Sequence, residues 1–388
     1  MSRWIVPLAD VVVSEDDIAA VADVYRSGWL SMGPQTEALE REFAQYAGAR
    51  HALAVANGTA GLHLVCAAAG LGPGDEVVVP SMTFVATVNA IAYTGATPVF
   101  ADVRGLTEPW LVPDTVEAVA TARARAIMAM AYGGHPGETA ALARLASERG
   151  LALLEDAAHA AGSRVAGRHL GTFGLAGAFS FFSNKNLAIG EGGMVITDDD
   201  SVAARMRLMR SHGMTTLTWD RHRGHASDYD VVAVGFNYRI DEPRAALARR
   251  RLARLDADNA RRAELDARYR GLLGETSGLT LALAPTPGAR SAHHLFTVVL
   301  DVGIERAAFR QALAARGVQT SVHYPPAHRL TAHARAVDLP ITEAYGERAV
   351  TLPLFATMTT GQQDAVVDAV RAAVSPARAV TGARSPGT

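Results

Sequence analysis

The chain has 388 residues, is 49% hydrophobic and 20% charged, and carries a formal net charge of −2 at pH 7. That size and balance describe an ordinary globular protein large enough for two domains. They exclude a general nucleic-acid or membrane-surface binder, and no apolar run reaches the ~18 residues of a bilayer span. Charges interrupt MSRWIVPLADVVVSEDD where an export signal would be apolar, so a cytoplasmic location is expected. The one cysteine, Cys66, has no partner for an internal disulfide and reads as core packing in a reducing compartment.

From residue 51 the pattern alternates. Residues 51–57 read as a strand and 58–71 as a helix; 76–80 as a strand and 83–95 as a helix. A strand over 97–103 precedes the helix-like PDTVEAVATARA (113–124). Then come a strand (126–132), a helix (138–150), strands at 151–156, 178–182 and 193–197, and a helix over 201–211. Short, continuous apolar runs are the mark of strands buried on both faces. Alternating with helices, they predict a mostly parallel sheet with helices on either side. The character changes near residue 242. A long Arg-rich helical stretch (241–274) leads to a strand (293–301), a helix (305–317), a strand (319–324) and a final helix (361–374). The expected architecture is α/β, with a large domain and N-terminal arm over 1–250 and a smaller α+β domain over 251–375. Residues 376–388 read as a disordered tail.

Ligands of open parallel sheets bind at the carboxyl ends of the strands. AVANGTAG (54–61) is a strand, an Asn-Gly turn and a helix start carrying Thr59, where free N–H groups suit a phosphate. No GxxxxGK[ST] is present, which removes a nucleoside-triphosphate loop. Asp156 closes the strand at 151–156, with His159 three residues on. The carboxylate there can pair with a cation, cap a turn, or join Glu155 and His159 as metal ligands. His212, His222 and His225 lie among Gly, Thr and Arg, a composition of loops rather than of convergent metal ligands. Of the 37 Lys and Arg residues only Lys185 is lysine. Arg has no accessible neutral form, whereas a buried Lys can lose its proton and attack a carbonyl. Chance survival of one lysine is the bland alternative. Its neighbourhood argues against chance: Ser180 stands five residues earlier and a glycine-rich turn follows.

NGTAGLHL, GDEVVVPSMTFVATVNAI, EDAAHAAGS, SNKNLAIGEGG, GFNYRID and VHYPPAH occur in the order and spacing of one family. From about residue 5 to 372 the chain resembles the DegT/StrS family of sugar aminotransferases that use pyridoxal 5′-phosphate (PLP). The 29 residues from Asp156 to Lys185 match the family's interval. The resemblance implies a fold type I PLP-dependent transferase. It implies that Lys185 holds PLP as an imine and later shuttles protons, and that Asp156 pairs with the pyridine nitrogen. His159 would contact the hydroxyl side of the ring and Phe84 would stack on its face. Thr59, the N–H of Ala60 and Ser180 would hold the phosphate. Asn237 would add a contact from the neighbouring subunit, which implies a homodimer with a shared site. His323 and Tyr324 would approach the substrate from the small domain; a turn stiffened by Pro325 and Pro326 explains the same motif structurally. Arg residues in 212–225 would grip a diphosphate.

The implied reaction moves nitrogen from L-glutamate, through pyridoxamine 5′-phosphate, to a keto sugar carried on a nucleotide diphosphate. SMGP (31–34) and the HGMTT segment resemble 4-aminating members, which favours dTDP-4-keto-6-deoxy-D-glucose in deoxyamino-sugar biosynthesis. A 3-keto sugar or a scyllo-inosose-type acceptor is the alternative. A sugar dehydratase, which in the family replaces the lysine with histidine, and a non-catalytic regulatory homologue stand further off. No metal is expected. The Arg-rich, Lys-poor composition points to a GC-rich bacterium and to antibiotic biosynthesis.

Overall fold

The computed structural model describes residues 4–216, 219, 222, 224 and 228–374. The expected tail at 376–388 and His225 lie outside the described residues. Two helices that the alternation does not announce precede the first strand. Helix α1 (Glu15–Ser27) opens on a capping box between Ser14 and Asp17 and closes on Gly28 in the left-handed region. Helix α2 (Pro34–Ala47) has no side-chain cap of its own. The buried Glu242 carboxylate serves instead, accepting the N–H groups of Gly33 (2.8 Å), Gln35 (2.7 Å) and Thr36 (2.9 Å).

The alternating region then follows the expected order. It comprises β1 (His51–Val55), α3 (Gly58–Ala68), β2 (Glu76–Pro80), α4 (Val85–Tyr93), β3 (Thr97–Ala101) and α5 (Pro113–Glu117). Next come β4 (Ala124–Met130), α6 (Thr139–Arg149), β5 (Ala152–Asp156), the short β6 (Arg164–Val165) and β7 (Arg168–His169), β8 (Ala176–Ser180), β9 (Gly193–Thr197) and α7 (Asp200–Arg210). A seven-stranded sheet has the order β1-β9-β8-β5-β4-β2-β3, with β9 alone running against the rest. Its faces bury two separate cores: Leu53, Val79, Leu154 and Val195 on one side, Ala54, Phe179, Met194 and Ile196 on the other. The helix expected over 113–124 stops at Glu117. The cause is Glu76 on β2, whose carboxylate takes hydrogen bonds from Thr121 and from Arg123 Nε (2.9 Å) and draws that segment into the approach to β4.

Helix α8 (Glu242–Leu273) runs for 32 residues, unbroken across residue 250. Its Leu252 and Leu255 pack with Phe43, Phe179 and Phe181 in one core, while Leu265, Tyr269 and Leu273 pack with Phe296 and Val298 in another. Beyond it lie β10 (Leu279–Leu281), β11 (Ala289–Arg290), β12 (Phe296–Leu300), α9 (Arg306–Ala315), α10 (Pro340–Arg348), β13 (Ala349–Leu352) and α11 (Thr360–Val374). β10, β12 and β13 form an antiparallel sheet, and β11 pairs with β6. Residues 319–324, expected as a strand, are irregular apart from an isolated bridge between Ser321 and Thr351. Among the described residues no helix is long and apolar enough to cross a membrane.

Candidate active site

The carboxyl ends of β1, β2, β5 and β8 converge on a cavity of about 670 Å³. Thr59, Phe84, Asp156, His159, Ser180 and Lys185 line it from the seven-stranded sheet and its loops; His323 and Tyr324 line it from the segment after α9. Six positions between residues 59 and 185 thus meet because parallel strands end on one edge.

Asp156 ends β5 and is 2% exposed. Thr87 Oγ1 donates to its Oδ2 (2.6 Å) and the Ala158 N–H to its Oδ1 (3.0 Å). Thr87 has one hydrogen to give, so Thr83 Oγ1, 2.6 Å away, donates to Thr87 in turn. Burial pushes the Asp156 carboxyl up, with those donors and the Lys185 ammonium opposing. A buried carboxylate held in this way calls for a cationic partner in the cavity. Glu155, one residue earlier, faces the other side of the strand, where it accepts the N–H groups of Gly171 (2.7 Å) and Gly174 (2.8 Å). It therefore shares no metal site with Asp156 and His159, and burial pushes its carboxyl up to about 7.

Lys185 stands on the turn after β8, its own N–H donating to Phe182 O at 2.9 Å. Burial brings its amine down to about 8, against the pull of the Asp156 carboxylate. The amine is thus available in neutral form near neutral pH, as attack on a carbonyl requires.

His159 is 3% exposed and neutral, burial and the nearby Lys185 charge holding its imidazole well below the usual range. The Gly133 N–H donates to its Nδ1 (3.2 Å), so the ring hydrogen is on Nε2, which donates to Tyr324 Oη at 2.9 Å. Burial and the Asp156 charge raise the Tyr324 hydroxyl far above its ordinary value, so it remains a donor. His323, joined to Tyr324 by a cis peptide, has Nδ1 2.8 Å from Thr351 Oγ1 and is brought down to about 4 by burial, then by Lys185. Phe84 is half-exposed at the cavity wall, its ring 5.4 Å from that of Tyr324.

Opposite these groups, α3 points its N-terminus into the cavity. Gly58 allows the close approach: a Cβ there would lie 2.8 Å from Ser180 Cβ. Thr59 and Ser180 are both at this end. The Ala60 N–H, expected on a phosphate, donates instead to Asn57 Oδ1 (2.8 Å), which caps the helix. Asn237 is exposed and lies outside the cavity of its own chain. Gly33 and Pro34 of SMGP serve the start of α2 and do not line it either. His222 packs on Trp29, ring centroids 4.5 Å apart. No cluster of three or more His, Cys, Asp or Glu able to hold a metal occurs among the described residues.

A neutral-capable lysine, a buried carboxylate, an aromatic face and a helix N-terminus around one cavity fit PLP, with its aldehyde, pyridine nitrogen, ring and phosphate. The model of the DegT/DnrJ/EryC1/StrS aminotransferase family matches residues 12–371, and the chain belongs to that family. It is a PLP-dependent sugar aminotransferase of the fold type I architecture. It is 35% identical to the aminotransferase TlmJ from Streptoalloteichus hindustanus (TM-score 0.89; 95% of this chain and 98% of that chain covered). It is 38% identical to S. venezuelae DesV, solved in complex with a ketimine intermediate (TM-score 0.86; 93% and 95% covered). DesI, solved in the presence of its TDP-sugar product, is 33% identical (TM-score 0.86; 96% and 93% covered).

Thr87, Asn186 and His294 are the residues around the site that sequence reasoning misses. For Thr87 a signal existed, since Thr83 and Thr87 are two hydroxyls one turn apart at the mouth of β2. Asn186 and His294 meet only in three dimensions.

Proposed function

We propose that the chain transfers an amino group from L-glutamate to the 4-keto position of a nucleotide-diphosphate 6-deoxy sugar, dTDP-4-keto-6-deoxy-D-glucose or a near relative. The observation that carries the chemistry is the Lys185 amine, brought down to about 8 in a cavity it shares with the buried Asp156. When bound, PLP supplies an electron-withdrawing ring on which nitrogen is exchanged between two substrates. Lys185 holds its aldehyde carbon and, once released, takes and returns a proton at Nζ. Asp156 keeps the ring nitrogen protonated. Thr59, Ser180 and the first turn of α3 hold the phosphate, with Phe84 against the ring and His159 and Tyr324 on its hydroxyl side. His323 and Tyr324 also border the space left for the sugar.

The choice of a nucleotide sugar is supported by DesI, whose structure contains a TDP-sugar product, and by the likeness to DesV. A homodimer follows on this reading, with Asn237 reaching the partner's phosphate site. The exposed Val231, Val232 and Val234 beside it suit an interface. The large domain is taken as 1–250 and the small one as 251–375, the enzyme working in the cytoplasm on antibiotic or related amino-sugar biosynthesis. Incubation with glutamate and a panel of 3-keto and 4-keto nucleotide sugars, followed by NMR location of the new amine, decides the acceptor. Amination at C3 alone would replace the 4-position by the 3-keto alternative; no amine on any nucleotide sugar would reject the class.

A further inference from the structure

Lys185 rides on an excursion between β8 and β9 that is closed at its base. The Phe181 N–H donates to Gly192 O (2.9 Å) and the Ile189 N–H to Phe181 O (2.8 Å). The next residue, Asn186, ties the tip of that excursion to two remote segments. Its Nδ2 donates to Asn259 Oδ1 on α8 and to Ala292 O before β12, both at 2.7 Å. Its Oδ1 lies 2.9 Å from His294 Nδ1.

These contacts fix every hydrogen. A backbone carbonyl only accepts, so Ala292 O decides which way the Asn186 amide faces and leaves Oδ1 toward His294. Asn259 is fixed likewise, because its Nδ2 donates to Ala161 O at 2.9 Å. His294 must therefore carry its hydrogen on Nδ1. Burial holds its imidazole neutral, with His159 and Lys185 acting in the same direction. Its backbone N–H donates to Gly133 O (2.9 Å), the same residue whose N–H sets the tautomer of His159. The two imidazoles stand 4.3 Å apart, centroid to centroid, behind the lysine.

We propose that Asn186 is a positioning residue for Lys185, anchoring the lysine-bearing turn through Asn259, Ala292 and His294 and fixing the His294 tautomer beside it. Asn186 is not among the residues that line the cavity. Its effect is to hold Nζ at one place in the cavity and to keep the His294 hydrogen on Nδ1. The inference rests on the reading of Lys185 as the residue that carries PLP.

The test compares Asn186→Ala, His294→Phe and His294→Gln with the native enzyme. Two quantities are read: the pH midpoint of the visible absorbance of the PLP-loaded protein, and the rate at which apoprotein captures PLP. Asn186→Ala and His294→Phe should each move the midpoint by roughly 0.5 pH unit or more and slow capture about tenfold. His294→Gln, whose amide N–H can still donate to Asn186 Oδ1, should stay near the native midpoint. The double variant should shift no further than the larger single one, because both act through one contact. An unchanged midpoint and capture rate in His294→Phe and Asn186→Ala, with only thermal stability reduced, would overturn the proposal and leave Asn186 a brace of the fold. If Asn186→Ala does not fold, the His294 pair decides the same question from the far side of the contact. Lys185→Ala separates the two levels. Covalent PLP surviving that change sinks the reading of Lys185, whereas its loss beside a native-like Asn186→Ala sinks only the positioning role.

Discussion

At Lys185 two forces oppose: burial strips water from the ammonium, the Asp156 carboxylate favours it, and burial prevails, at about 8. Only the neutral amine attacks an aldehyde. Capture of PLP by the apoprotein should therefore rise about tenfold per pH unit below 8 and level off above it. Stopped-flow absorbance between pH 6 and 10 checks this, and a flat profile would contradict the depressed amine. The sign for stability follows from the same depression. The folded chain binds that proton less tightly than the unfolded chain, whose ordinary value is 10.5. The destabilisation is complete below about pH 8 and fades as pH rises toward 10.5. Lys185→Met, of similar length and without charge, should melt higher than the native apoprotein at pH 6.5. That gap should narrow at pH 9.5, as differential scanning calorimetry would show. Lys185 and Asp156 were legible in the sequence because their chemistry is local: a lone amine and a strand-terminal carboxylate declare themselves. Asn186 and His294 were not, since an amide beside a lysine is mute until Ala292 and Asn259, remote in sequence, fold against it.

The helix N-terminus at α3 shows how one element serves both fold and site. Asn57 uses the Ala60 N–H as a cap, while Gly58 lets Ser180 sit against the first turn. Asn57→Ala should cost about 1 kcal/mol in denaturant unfolding yet leave PLP bound, because the Ala60 N–H is then free for phosphate. Gly58→Ala should do the reverse. Its methyl meets Ser180 Cβ at 2.8 Å, so the phosphate end must open and the Kd for PLP, measured by equilibrium dialysis, should rise about tenfold or more. An unchanged Kd would mean that Ser180 plays no part in holding the phosphate. The alternation of strands and helices from residue 51 was readable because each buried strand is a short apolar run bounded by turn residues. Helix α2 was obscure for a physical reason: the group that satisfies its N-terminus, Glu242, is supplied from another helix. The strand expected at 319–324 did not form: QTSVHY is mostly polar, and the side chains of His323 and Tyr324 face the cavity rather than a neighbouring strand.

Across the molecule, the C-terminal segment around α10 is bolted to the loops that follow β2 and β3. Ser81 Oγ lies 2.7 Å from His328 Nδ1, whose Nε2 is 3.0 Å from Glu343 Oε1, and Asp102 accepts the N–H groups of Ile341 (3.1 Å) and Thr342 (2.7 Å) at the start of α10. The proposal that Asn237 serves the partner's site makes a further prediction. Lys185→Ala and Asn237→Ala homodimers should each be impaired, while mixing and reassociating them should regenerate one intact site per heterodimer. Statistical assortment then gives roughly a quarter of native activity; no recovery would place Asn237 outside the partner's site. The single lysine carries one more consequence. Guanidinium groups do not form imines with aldehydes under mild conditions, so a surface of arginines offers excess PLP no competing side-chain amine. Lysine enriched in ¹⁵N, fed to the producing cell, would give this enzyme a single labelled side-chain nitrogen. Its resonance could be followed through the reaction without an assignment experiment.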